Sequence, residues 1–216
     1  MILFTLHILN TFLITIDQVW TSDNTRPDAR LFIQYGASLW VPPRMKYGWV
    51  TDSSSDKNVE IPLSFRFHVS FMGGLGVGSN INEYSKEQLE ESTNWIALYK
   101  KLRHVLQNGD LDWLVPPSRV GELVAVTESI YNDGDEAVIL AFRHNSPYPD
   151  TGELSPIRIR YLDENATYRV TIWQEDPQKP DNEYELSGAL LMYRGLELPG
   201  LNNGMFKSAV VWLQRI

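Results

Sequence analysis

No cysteine occurs among the 216 residues, which excludes disulfides, thiolate metal ligands and a cysteine nucleophile. The absence also fits a reducing compartment. Positive charge is scarce: 19 Lys and Arg stand against 27 Asp and Glu, for a formal net charge of −8. A chain of that sign is poorly equipped to neutralise phosphates, so neither nucleic acid nor a membrane is expected as a partner. The stretch Met1–Ile16 holds eleven apolar residues of sixteen, short of the roughly 20 that a spanning helix needs. It has no Lys or Arg before Arg26 and no A-x-A site, so it lacks the marks of a signal peptide. It reads as a buried strand or helix, or as the ragged start of a longer reading frame. A cytoplasmic location is expected, with secretion the open alternative; only export would give the Asn165-Ala166-Thr167 sequon a meaning.

Several catalytic signatures are missing as well. None of His7, His68, His104 and His144 stands at metal-ligand spacing, and neither a metal nor a cofactor is expected. The G-x-S-x-G elbow of serine hydrolases does not occur. Gly74, Gly76 and Gly78 form G-x-G-x-G, without the dinucleotide fingerprint and without a following Gly-Lys-Ser/Thr. That run reads as a tight backbone passage.

What is present is an ordinary globular composition, 43% hydrophobic and 21% charged, long enough for one large domain or two small ones. Aromatics are mildly abundant, with 7 Trp, 10 Tyr and 8 Phe, and serve either packing or the gripping of sugars. The pattern changes near Leu114-Val115-Pro116-Pro117-Ser118, where paired prolines suggest a linker. Before it the elements are mixed. A short strand over Asp17–Thr21 precedes a helix over Asp28–Leu39 with Pro27 in its first turn, and a second strand covers Tyr47–Thr51. Ile61–Phe71 alternates like a strand yet is apolar enough for a buried helix. Ser85 and Gln88 form a capping box that opens a helix over Ser85–Gln107, which Gly109 stops. After the linker, strands are expected at Glu122–Ile130, Glu136–His144, Ile157–Tyr161, Tyr168–Gln174, Leu190–Tyr193 and Lys207–Leu213, a pattern for an antiparallel sandwich.

The sharpest local feature is Val19-Trp20-Thr21-Ser22-Asp23-Asn24-Thr25. A carboxylate at the C-terminal tip of an apolar strand is where barrel enzymes carry catalytic acids, and a neighbouring Trp helps such a group hold a proton. An N-cap Asp opening the helix at Pro27 explains the same residue.

Trp20–Thr25 and then Ala29-Arg30-Leu31-Phe32-Ile33-Gln34-Tyr35-Gly36-Ala37-Ser38 resemble the α-galactosidases of glycoside hydrolase family thirty-six. The likeness continues through Arg66–Ser70, Gly73–Gly76, Tyr99–Arg103, Asn108–Leu111, Leu162–Tyr168 and Ser187–Met192, in order, over roughly Val19–Ile216. It implies the C-terminal part of a (β/α)8 TIM barrel followed by an antiparallel β-sandwich. Residues 1–16 match poorly, 17–115 correspond to barrel strands six to eight with their helices, and 118–216 to the sandwich. Helix seven is then expected around Ile61–Phe71 and strand eight near Leu75–Ser79. The resemblance makes Asp23 the general acid/base of a retaining hydrolase of α-galactoside oligosaccharides of the raffinose and melibiose type, and carries an expectation of homo-oligomers. The family's nucleophile lies in a Lys-aromatic-Asp triplet, which this sequence lacks. The resemblance names no substrate-binding residue here and predicts no turnover by the chain alone. The alternative is a non-enzymatic sugar-binding or assembly module using Trp113, Trp173 and Trp212.

Overall fold

The computed structural model describes residues 17–24, 26–51, 60–118, 124–144, 154–202 and 204–216; the expectations for Met1–Ile16 and Thr25 lie outside them. Three extended segments run parallel in chain order. Val19 bridges to Lys46, with Val19 N–H donating to the Met45 carbonyl (2.6 Å) and Tyr47 N–H to the Val19 carbonyl (3.1 Å). Strand β1 (Tyr47–Val50) then pairs with β2 (Gly74–Val77) from Tyr47↔Gly74 to Val50↔Val77. Helices α1 (Pro27–Ser38), α2 (Leu63–Ser70) and α3 (Lys86–Asn108) follow these segments in turn. Such parallel β–α alternation is the build of a barrel wall.

Each helix has a local cause. Pro27 supplies the preset first turn of α1 and Asp28 an anion near the positive end of its dipole. The capping box of α3 is complete: Ser85 Oγ accepts from Gln88 N–H (3.2 Å) and Gln88 Oε1 from Ser85 N–H (3.0 Å). In α2 every residue is buried, polar ones included. The alternation of Ile61, Phe65, Phe67 and Phe71 therefore carries no strand register, because the helix is enclosed on all sides. Its polar members are tied down. Arg66 donates to the Thr51 carbonyl (2.8 Å), and His68 Nδ1 meets Ser208 Oγ (2.8 Å). Tyr99 of α3 donates from its hydroxyl to the Gly73 carbonyl (2.7 Å) and accepts from Leu75 N–H (3.2 Å), which clamps α3 onto β2.

Among the described residues that follow, six strands form an antiparallel sheet, the C-terminal sandwich element. They are β3 (Asp110–Val115), β4 (Val124–Tyr131), β5 (Glu136–Arg143), β6 (Thr167–Trp173), β7 (Asn182–Ser187) and β8 (Lys207–Arg215), in the order β3-β4-β5-β8-β6-β7. Three expectations need correction. Residues 110–115, assigned above to the barrel part, pair with β4 from Asp110↔Ile130 onward, so the sheet begins before the prolines. Asp110, Leu111, Asp112 and Trp113 alternate polar and apolar there, a strand pattern that the composition change obscured. Leu190–Tyr193 is not a strand but the end of helix α4 (Gly188–Tyr193), capped by Ser187 Oγ accepting from Leu190 N–H. Ile157–Tyr161 contributes only an isolated bridge, Ile157↔Leu196.

The sheet is covered on both faces. Val138, Leu140, Phe142 and Val210 join the core shared with α2 and α3, while Ile139, Ala141, Val211 and Leu213 join a second core beneath Ile159, Leu191 and Leu198. The long buried runs in β4, β5 and β8 follow from that double cover. At the seam, Phe65 of α2 meets Phe142 and Phe206 edge-on, each at 5.7 Å. Glu136 accepts from both His104 Nε2 (3.1 Å) and Trp212 Nε1 (2.9 Å). Trp113 donates to Ser38 Oγ (2.8 Å) and stands edge-on to Tyr35, and Trp173 is buried. The three tryptophans offered above as sugar contacts are engaged within the protein.

Candidate active site

Asp23 lies on the turn that leaves the Val19 segment at its C-terminal end. It does not cap α1: the cap residue is Arg26, without a side-chain cap bond. The turn is knitted locally, with Asn24 N–H donating to Ser22 Oγ (3.1 Å) and Arg26 N–H to Asn24 Oδ1 (3.0 Å). Arg26 pairs with Asp28 at 2.8 Å, so the nearest acidic neighbour is neutralised separately. The Asp23 side chain is exposed, and its Oδ1 accepts from the Trp20 indole N–H at 2.8 Å.

Trp20, the partner of this carboxyl group, belongs to a cluster of three aromatic rings. Trp20, 50% exposed, stacks on Tyr47 at 5.0 Å and meets Trp49 edge-on at 4.5 Å. Tyr47 and Trp49 alternate on one face of β1, and the glycines of β2 make room for them. A Cβ on Gly76 would sit 2.2 Å from the Tyr47 hydroxyl oxygen, and one on Gly78 would sit 2.2 Å from the Trp49 ring. The G-x-G-x-G run is thus a passage for aromatic rings. Gly78→Val is expected to displace the Trp49 ring and weaken the Trp20–Trp49 coupling in near-UV circular dichroism, with a stability loss of about 1–3 kcal/mol. An unchanged aromatic spectrum in this variant would contradict the packing.

A second carboxyl pair escaped the sequence reading. Asp112 and Glu128 face each other across β3 and β4. Arg160 ion-pairs with Asp112 at 2.7 Å, while its backbone N–H donates to Glu128 at 3.1 and 3.2 Å. Glu128 is 0% exposed, and burial pushes its carboxyl up to about 8 from the ordinary 4.5. A sugar cannot reach it, so it is a structural acid. Between pH 5 and 8 the unfolded chain ionises Glu128 while the folded chain keeps it protonated. The folded state then binds more protons, and stability falls as pH rises through that window. Glu128→Gln is expected to flatten the decline of melting temperature from pH 5 to 8; an equally steep decline in the variant would contradict this. His68, held down to about 3 by burial, contributes the opposite slope between pH 3 and 6.5.

Among the described residues no group of three or more His, Asp or Glu is placed to hold a metal ion, and no helix is long and apolar enough to cross a membrane.

The Melibiase family profile matches residues 9–109, and that of the glycosyl hydrolase family 36 C-terminal domain matches residues 124–213. A probable α-galactosidase C of Aspergillus flavus is 32% identical over 201 residues, covering 92% of this chain and 24% of that protein. The α-galactosidase Mel36A of Lactobacillus acidophilus is 33% identical over 132 residues, 61% of this chain and 18% of that protein. Among solved structures, the family 36 α-galactosidase AgaA of Geobacillus stearothermophilus superposes with a TM-score of 0.79 at 28% identity, over 92% of this chain and 26% of that one. A variant of AgaA has been solved in complex with raffinose. The chain spans about a quarter of the length of the relatives it matches.

Proposed function

Since the chain belongs to glycoside hydrolase family 36 and corresponds to the C-terminal part of its α-galactosidases, we propose that it carries the acid/base half of a retaining α-galactosidase site, with Asp23 as the acid/base. The observation behind this reading is the position of Asp23. It sits on the turn at the C-terminal end of a parallel barrel segment, exposed, and bonded to Trp20, which packs against Tyr47 and Trp49.

Retaining hydrolysis takes two carboxyl groups about 5–5.5 Å apart. One attacks the anomeric carbon and forms a glycosyl ester. The other protonates the departing glycosidic oxygen, then takes a proton from the water that hydrolyses the ester. In this chain Asp23 has the second role. The first belongs to a Lys-aromatic-Asp motif that the sequence does not contain, so the chain does not complete the reaction alone. General acid assistance contributes roughly 10²–10⁴-fold, against the ~10⁶–10¹⁷-fold of enzymes as a class.

The substrates follow the relatives: terminal α-galactosides of the raffinose and melibiose type. The purified, monodisperse chain is expected to leave melibiose intact. Mixing it with a chain carrying the preceding barrel strands of a family 36 enzyme is expected to restore galactose release. Steady release of galactose by the chain alone would overturn the half-site reading.

A further inference from the structure

Arg30 lies in the second turn of α1, directly beneath the turn that bears Asp23. It is one of the largest buried side chains, 2% exposed. Burial lowers its guanidinium to about 10, which still leaves it charged at neutral pH. A buried cation of this kind usually sits against a carboxylate. Here the hydrogen-bond partners are neutral. Nη1 donates to the carbonyl oxygens of Ser22 (3.0 Å) and Asn24 (3.1 Å), and Nη2 donates to Thr21 Oγ1 (3.1 Å). The guanidinium carbon also stands 5.5 Å from the centre of the Trp49 ring, within cation–π range. Gln34, one turn further along α1, donates to the Tyr47 carbonyl at 3.1 Å and fixes the same helix to β1.

Ser22 and Asn24 are the two residues that flank Asp23. One nitrogen of Arg30 therefore grips the backbone on both sides of the carboxyl-bearing residue, and the other nitrogen grips the residue before. The charge is compensated by carbonyl dipoles and a ring face, and no ion pair joins Arg30 to Asp23. A guanidinium paired directly with that carboxylate would favour its ionised form and oppose proton donation. A lysine, with one ammonium on a flexible stem, cannot reproduce the planar fork that reaches three acceptors at once.

We infer that Arg30 is the positioning residue for Asp23: it fixes the backbone on either side of the acid through carbonyl oxygens and leaves the carboxyl group outside any ion pair with itself. The catalytic meaning of this rests on the reading of Asp23 as acid/base, whereas the positioning can be measured separately.

The test uses the chain itself. The Trp20 indole N–H, bonded to Asp23 Oδ1, gives a proton–nitrogen resonance that Asp23→Asn displaces and thereby identifies. In the unaltered chain this resonance is expected at the position of a hydrogen-bonded indole. In Arg30→Lys it is expected to move to the position of a solvent-exposed indole. The Trp95 indole, bonded to Glu91 at 3.0 Å in α3, should stay in place and report an intact fold. A Trp20 resonance that keeps its hydrogen-bonded position in Arg30→Lys overturns the inference.

A measurement without substitution covers the case in which the variant does not fold. The guanidinium of Arg30, held by three acceptors, should show separate Nη resonances in slow rotation; a single averaged signal overturns the inference. In an enzyme reassembled with the preceding barrel strands, Arg30→Lys is expected to lower kcat by about 10²-fold with little change in KM, the scale of an ångström of misplacement. Should the Trp20 and Nη results hold while Asp23→Asn keeps full hydrolysis of melibiose, the acid/base reading falls and the positioning of the turn stands.

Discussion

Asp23→Asn is expected to slow hydrolysis of melibiose by roughly 10²–10⁴-fold in an enzyme reassembled from this chain and the preceding barrel strands. The same substitution should affect p-nitrophenyl α-galactoside far less in the bond-breaking step. A sugar alkoxide leaves only if a proton arrives as the C–O bond breaks, whereas nitrophenolate is stable enough to depart unaided. Asn keeps the shape and still accepts from the Trp20 indole, but it can neither deliver a proton nor take one from water. With the aryl substrate the glycosyl ester should therefore accumulate, and an initial burst of nitrophenolate should precede slow turnover. Equal losses on both substrates, without a burst, would remove Asp23 from the acid/base role and reduce it to a structural element of its turn.

The second large effect is at the seam between the two layers. Phe65 is 0% exposed and lies edge-on to Phe142 of β5 and to Phe206 just before β8. Phe65→Ala removes a ring from a site enclosed by helix and sheet alike, where collapse cannot fill the space. A loss of about 3–5 kcal/mol is expected, or about 6–20 °C in melting temperature for a chain of this size. Because α2 and the sheet share one core, the loss should appear in a single cooperative transition. It also follows that residues 110–216 expressed without the helices should bind hydrophobic dyes and self-associate, since Val138, Leu140, Phe142 and Val210 would lose their cover. A monomeric, dye-silent piece melting like the full chain would show that the seam is dispensable.

Legibility in the sequence followed how local the cause was. The helix α3 could be read because the capping box at Ser85 and Gln88 is spelled within four residues. The strands β4, β5 and β8 could be read because double-sided burial leaves long apolar runs. By contrast, β7 (Asn182–Ser187) is mostly exposed at the edge of the sheet, and its two apolar residues, Tyr184 and Leu186, are too few to stand out. Leu190–Tyr193 is too short to distinguish a strand from a helical turn, and only the Ser187 cap, seen in space, decides it. The identity of α2 came from family likeness, because a helix enclosed all round has no telling period.

The site was legible to the same degree. Asp23 stood out by motif, and the glycine run was read as a close passage, but the rings that pass there were not foreseen. Arg30 was quoted as part of a likeness without a task. Its partners are carbonyl oxygens, which any sequence would supply, so no spacing of residue types could announce them. The buried Glu128 was equally silent, because its partner is the backbone N–H of Arg160, 32 positions away.

Strand β8 occupies the middle of its sheet, between β5 and β6. A ribosome releases the chain from the other direction, so the sheet stays split into β3-β4-β5 and β6-β7 until Lys207–Arg215 has been made. Throughout that interval the apolar face offered to α2 and α3 is only partly assembled. A cell producing this polypeptide therefore holds a sticky nascent intermediate from the completion of β5 until β8 is made, and chaperone demand should track the rate at which the last strand is delivered.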